Sequence, residues 1–198
     1  MTPPKAAKYF EDLGMMVARL HSVQRDFFCR DVLGPDGDRS WPKIVGRRLD
    51  MVGGQFRELG REVPRDIAAA VLRLRAAVQH LSASIRPVLV HGDLYPENTV
   101  VTDGRLSALL DFEFARLWEP AADFVKLELL AFDAHAGARD SFMAGYERVR
   151  GLPDQLRARL DVVLGLELVS AMPFFLRWND TAAVRLYEDR LSRWLSIS

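Results

Sequence analysis

The chain has 198 residues, of which 49% are hydrophobic and 27% charged, and its net charge is zero, the balance of a soluble protein that buries one substantial core. No run is long and apolar enough for a membrane span, residues 1–7 lack the basic start and apolar stretch of a signal peptide, and the single cysteine, Cys29, can form no internal disulfide. The expectation is a single cytoplasmic domain without a membrane partner, and the ten acidic against four basic residues over 91–140 argue against nucleic acid while suiting a divalent cation or a cationic ligand.

Residues 1–90 read as helices. Tyr9, Leu13, Met16, Val17 and Leu20 share one face of a first helix, and Ile67, Val71, Leu74, Val78 and Leu81 form a stripe at steps of four and three. Between them, 31–42 (DVLGPDGDRSWP) is dense in turn formers, and a weaker helix over 43–59 is interrupted by Gly53 and Gly54. The pattern changes at Pro87-Val88-Leu89-Val90, a short apolar run that leads into His91-Gly92-Asp93. Residues 98–102 and 105–110 are rich in strand formers and flank Asp103-Gly104, a two-residue hairpin signal. Helical spacing returns with Phe142, Tyr146 and Val149, then Leu156, Leu160, Val163 and Leu164, then Val184, Tyr187, Leu191 and Leu195. Gly151 and Pro153 mark a stop and a start, and Pro173 is expected to end or kink its helix, leaving Phe174 and Phe175 at a bend. The fold class is α+β and predominantly helical: 7–86 a helical core, 87–115 a loop and hairpin, 120–198 carboxy-terminal helices.

The hairpin brings polar residues together. With Asp103 and Gly104 as the turn, Thr102 faces Arg105, Asn98 faces Leu109, and Asp111 becomes the diagonal neighbour of Asn98 on the same face, about 7–8 Å away. One oxygen from each can reach a hard cation such as Mg²⁺, whose remaining positions are filled by phosphate and water. Asp93 lies five residues before Asn98, a D-x-x-x-x-N spacing found in kinase catalytic loops.

These segments carry a specific resemblance. His91-Gly92-Asp93-Leu94-Tyr95-Pro96-Glu97-Asn98, followed by Leu109-Leu110-Asp111-Phe112-Glu113-Phe114-Ala115, resembles the HGD-L-x-P-x-N and D-F-E or D-W-E segments of the aminoglycoside phosphotransferase and choline kinase superfamily. The helix ending Leu20-His21 is similar to that family's L-A-x-L-H helix, and Glu119-Pro120-Ala121-Ala122-Asp123 to its D-P-x-x-D segment. The resemblance runs from about residue 7 to about 130 and implies the carboxy-terminal lobe of a protein-kinase-like fold. It implies that Asp93 orients the acceptor hydroxyl and takes its proton, that His91 braces the loop, and that Asn98 and Asp111 bind Mg²⁺ on the phosphates of ATP or GTP. It further implies that Asp123 is structural, capping the next helix and supporting the loop, and that Glu113 meets a small, cationic substrate, an aminoglycoside or amino alcohol. The substrate would lie between the catalytic loop and the carboxy-terminal helices.

No G-x-G-x-x-G or Walker loop occurs in the chain, and its four lysines are Lys5, Lys8, Lys43 and Lys126. A nucleotide-clamping amino-terminal lobe is therefore expected to be absent, leaving the isolated chain with little or no turnover. It would then act with a lobe supplied upstream or by a separate nucleotide-binding chain. The alternative is a catalytically silent ligand-binding module or truncated remnant. Loss of that lobe is expected to expose Phe10, Leu13 and Met15 on the first helix, favouring a homodimer or a partner chain.

Overall fold

A computed structural model of the chain describes residues 2–29, 37–81 and 85–197. Its elements in chain order are α1 (Pro3–Leu20), α2 (Trp41–Glu58), α3 (Arg65–Gln79), β1 (Val88–Val90), β2 (Thr99–Thr102), β3 (Arg105–Leu109), β4 (Arg116–Trp118), α4 (Ala122–Leu130), α5 (Ala138–Glu147), α6 (Leu156–Arg177) and α7 (Thr181–Ser196), with single 3₁₀ turns at Pro96–Asn98 and Phe132–Ala134. None of the described helices is long and apolar enough to cross a membrane. The contacts group the chain into two units, 1–39 with 84–156 and 40–83 with 157–198. The segment 7–86 is thus shared between them.

In the first unit, α1 packs on α5 at a crossing made of glycines. A Cβ on Gly14 would lie 2.0 Å from the Phe142 carbonyl oxygen, and one on Gly145 would lie 2.0 Å from that of Glu11. Neither helix could carry a larger residue there without moving apart. Around this crossing Phe10, Phe124, Phe132, Phe142 and Tyr146 form an edge-to-face aromatic cluster, with Phe124 5.2 Å from both Phe142 and Tyr146. Phe10 and Leu13 are 0% exposed and Met15 is partly covered, so the bare apolar helix face expected of this segment does not exist. The helix is apolar on more than one side because α5, the Phe132 turn and the β3 strand of the same chain cover it.

Two small antiparallel pairs complete this unit. β1 pairs with β4, Val88 opposite Trp118 and Val90 opposite Arg116, and single bridges from Gln24 and Cys29 extend the pairing. β2 pairs with β3 across a turn in which Asp103 and Gly104 both have positive φ, 51° and 75°, as a two-residue hairpin with the strand twist requires. The register differs from the expectation: Thr102 faces Arg105 and Val101 faces Leu106, but Val100 faces Ala108 and Thr99 faces Leu109. Ser107 is an extra residue on β3, a β-bulge that shifts every pair beyond it by one.

The second unit is helical. α2 begins at Trp41, inside the segment expected as loop, where Ser40 Oγ accepts from the Lys43 N–H at 3.4 Å and Pro42 occupies the first turn; of that loop, 31–36 lie outside the described residues. Gly53 and Gly54 do not interrupt it. Trp41, Val45, Leu49, Val52 and Phe56 are buried at steps of four and three along one stripe facing α3, and this burial outweighs the glycine cost of about 1 kcal/mol each. α6 likewise runs through Pro173 to Arg177, so of the two outcomes expected there, an end or a kink, the helix does not end. Val169, Met172 and Pro173 are buried together, so packing holds the turn whose N–H bond is missing. Phe174 and Trp178 stay exposed beyond it, whereas Trp194 of α7 is buried and donates its indole N–H to the Asp161 carbonyl at 3.1 Å.

Candidate active site

The loop that leaves β1 is shaped by one glycine and one carboxylate. Gly92 has φ 84°, and a Cβ there would lie 2.3 Å from the Phe114 carbonyl oxygen; only glycine satisfies both the conformation and the space. Asp123, 1% exposed, accepts the backbone N–H groups of His91 and Gly92 at 2.8 Å each and the ring N–H of His21 Nε2 at 3.0 Å. It does not cap α4, as expected of it. It sits within the first turn, behind the N-cap Ala121, and its oxygens are taken by the loop and His21. Burial alone would raise the Asp123 carboxyl, but the bonds from His21, Gly92 and His91 outweigh it and hold the group below the usual carboxylate range. Burial pushes the Tyr146 hydroxyl up, so it keeps its proton and donates to His21 Nδ1 at 2.9 Å.

His91 joins the loop to the end of the hairpin. Its Nε2–H donates to the Leu110 carbonyl at 2.7 Å, its Nδ1 accepts the Asp93 N–H at 3.3 Å, and its ring lies against Phe112 with centroids 4.6 Å apart. Asn98, at the end of the 3₁₀ turn, donates from Nδ2 to the Asp93 backbone carbonyl at 2.9 Å and to the Asp93 carboxylate at 3.4 Å. The Asp93 side chain is 22% exposed, and its other carboxylate oxygen lies 3.6 Å from Lys126 Nζ on α4. Its neighbours fix the carboxylate while one side stays open to solvent.

Asp111 follows the hairpin. With the bulge in place Asn98 stands across from Leu110, whose N–H donates to the Asn98 carbonyl at 2.9 Å. The shared strand face expected for Asn98 and Asp111 therefore rests on a register the structure does not have. Asp111 is instead the first residue past that tether, exposed and at φ 61°. Glu113 lies exposed in the turn before β4. Because the Asn98 amide nitrogen is committed to Asp93, its amide oxygen is the atom left for a ligand, and it and the exposed Asp111 carboxylate are both oxygen donors of the type Mg²⁺ prefers. Among the described residues no three His, Cys, Asp or Glu side chains converge as a protein metal cage.

The hairpin is also anchored to α1. Tyr9 and Thr99 hydroxyls are 3.0 Å apart, and Arg105 grips Asp12 with two bonds of 2.9 and 3.3 Å while Lys8 lies 3.0 Å from the same carboxylate. Burial would raise Asp12, but Lys8 and Arg105 together hold it below the usual range. Sequence reasoning missed Lys126 and the Asp12–Arg105 clamp. The first was legible as a cation three residues after Asp123, hence on the same helix face; the second joins residues 93 apart and has no local signal.

Comparison with known proteins places the sequence and the fold. Residues 1–160 match the phosphotransferase enzyme family. Curated relatives include the homoserine kinase of Gluconobacter oxydans, 27% identical over 93% of this chain and 54% of its own length, and that of Gluconacetobacter diazotrophicus, 32% identical over 76% and 47%. The chain spans about half the length of the curated relatives it matches. Among solved structures, aminoglycoside phosphotransferase APH(4)-Ia in ternary complex with AMP-PNP and hygromycin B has a TM-score of 0.69 at 14% identity, covering 100% of this chain and 68% of that one. The ADP-bound aminoglycoside phosphotransferase APH(2'')-Ib has a TM-score of 0.66 at 14% identity, covering 99% and 64%. The fold, the Asp93–Asn98 loop braced by Asp123 and the match over residues 1–160 lead to one assignment: the chain belongs to the phosphotransferase enzyme family and has the aminoglycoside phosphotransferase fold.

Proposed function

We propose that this chain carries the acceptor-activating part of a kinase that moves a phosphoryl group from ATP or GTP to a hydroxyl of a small, amine-bearing molecule. The observation that carries the reading is the Asp93 carboxylate, fixed from one side by Asn98 and from the loop backbone by His91, yet open to solvent. An acceptor hydroxyl that donates to Asp93 is aimed at the γ-phosphorus. Its oxygen forms the new P–O bond as the bond from the γ-phosphorus to the bridging oxygen breaks, and the hydroxyl proton passes to Asp93 late on that path. Asn98 and Asp111 are the residues that would hold Mg²⁺, which when bound offsets phosphate charge. The curated homoserine kinases support an acceptor with both an amine and a hydroxyl, and the hygromycin B and gentamicin named with structural neighbours are of the same broad character.

The test is phosphoryl transfer by the full gene product, followed by ³¹P NMR with ATP or GTP, Mg²⁺ and a panel of amino alcohols, hydroxy amino acids and aminoglycosides. Asp93→Asn is expected to lower turnover about 10²–10⁴-fold with little change in nucleotide affinity. Equal turnover in wild type and Asp93→Asn would refute the reading.

A further inference from the structure

We infer that a concavity in the first unit, lined by Arg25, Arg39 and Arg86, binds a phosphate dianion, free or as the monoester of a small molecule. The site goes beyond the phosphoryl-transfer reading and does not depend on it, since none of its residues belongs to the Asp93–Asn98 loop. The three arginines come from separate stretches of chain, are all exposed, and line one concavity of about 290 Å³ together with Asp26 and Phe27. That volume stands at the small end for ligand sites, which suits a compact anion. Three arginines against one aspartate leave the lining a charge of +2.

The main chain fixes this gathering. Gln24 bridges Val88, the Arg25 N–H donates to the Pro87 carbonyl at 3.1 Å, and the Leu89 N–H donates to the Val23 carbonyl at 2.8 Å, so Arg25 and Arg86 stand on backbones tied side by side. Phe28 and Asp38 exchange both N–H···O bonds, at 2.8 and 3.0 Å, which holds the backbone next to Arg39 against the same stretch. A Cβ on Gly37 would lie 2.5 Å from a ring carbon of Phe27, so the approach to Arg39 is pressed against that ring. Local partners do not neutralise the charges. Among the described residues the side chains of Asp26, Arg39 and Arg86 make no hydrogen bond or ion pair, and the Arg25 guanidinium makes one bond, from Nη1 to the Gln24 carbonyl at 2.9 Å. Each guanidinium presents its N–H donors in a planar fork that matches two oxygens of a phosphate. A phosphate monoester carries a charge of about −1.5 to −2 at neutral pH, which offsets the lining where a carboxylate monoanion does so only in part. The half-buried Phe27 ring offers a wall for the organic part of an ester.

The experiment is isothermal calorimetry on the full chain without Mg²⁺, titrated with inorganic phosphate, phenyl phosphate and acetate at a fixed ionic strength of about 0.15 M. Saturable binding of phosphate or phenyl phosphate is expected with a Kd of about 1 mM or tighter, and acetate at least about tenfold weaker. Arg39→Gln and Arg86→Gln should each weaken it about tenfold, whereas Arg185→Gln, which removes an exposed arginine of α7, should leave it unchanged, with circular dichroism showing all three variants folded. Tighter binding of phenyl phosphate supports an ester as the occupant, equal binding supports the phosphate group alone, and both sustain the site. No saturable binding, an equal response to acetate, an equal loss in Arg185→Gln, or binding that survives in both Arg39→Gln and Arg86→Gln overturns the inference. Phosphate held at the Asp93–Asn98 loop would give the last of these results, so the two locations are told apart.

Discussion

Asp123 is where a single substitution separates the loop from its support. Replacing it by alanine leaves three donors, the backbone N–H groups of His91 and Gly92 and the ring N–H of His21, without their acceptor in a site that is 1% exposed. A buried donor left unsatisfied costs about 1–3 kcal/mol. With water entering part of the vacated space, the loss comes to about 4 kcal/mol, a large share of a typical domain stability. Urea unfolding followed by circular dichroism should show the midpoint falling by about 2 M, taking an m-value near 2 kcal/mol per molar. Asp123→Asn keeps the volume and one acceptor oxygen but turns an amide N–H₂ toward a backbone N–H, so an intermediate loss of about 2–3 kcal/mol is expected. Hydrogen exchange at the His91 and Gly92 amides should accelerate in both variants. The pH dependence has a definite sign. The folded carboxyl is held below its ordinary value, so its contribution is fully present above about pH 4, the unfolded value, and is lost as pH falls through the lower folded value. Asp123→Asn should lack that acid-side loss. An Asp123→Ala protein within about 1 kcal/mol of wild type, with His91 and Gly92 amides still protected, would refute the account.

Gly92→Ala should be poorly tolerated, since a Cβ would lie 2.3 Å from the Phe114 carbonyl oxygen at φ 84°; thermal unfolding is expected to report a loss of about 2 kcal/mol or more, and an unchanged midpoint would contradict it. Phe10→Ala should cost about 3–5 kcal/mol by opening a cavity in the aromatic cluster without changing the sedimentation coefficient of the folded fraction; dissociation of a dimer would restore the exposed-helix expectation.

Much of this architecture could be read from the sequence because its cause was local. Periodic apolar residues gave α1, α3, α5, α6 and α7, and Asp103-Gly104 gave the hairpin turn, since each depends on residues a few positions apart. The failures share the opposite property. Gly53 and Gly54 stay helical because Trp41, Val45, Leu49, Val52 and Phe56 meet α3, and α6 passes Pro173 because its neighbours are buried. Phe10 is covered by residues more than a hundred positions away. β4 is three residues long and acquires its strand character only from pairing with β1. Propensity is a weak term wherever tertiary burial opposes it.

One extra residue in the hairpin changes how Asn98 and Asp111 are connected. Counting pairs outward from the turn assumes an unbroken ladder, and one extra residue reverses the facing of everything beyond it. Ser107 is that residue, and what accommodates it is invisible to pattern: its hydroxyl donates to the Val100 carbonyl at 3.1 Å and sits 3.1 Å from that of Thr102. The shift puts Leu110 across from Asn98, and the Leu110 backbone is then held twice, its N–H by the Asn98 carbonyl and its carbonyl by His91 Nε2. Asp111 is therefore tied to the Asp93–Asn98 loop through the main chain of its neighbour, with no need for a common strand face. Conservation of side-chain alternation is dispensable in such a site. The His91 ring is not, because it bonds both the Leu110 carbonyl and the Asp93 N–H, so the loop that presents the Asp93 carboxylate and the strand end that presents Asp111 share one imidazole.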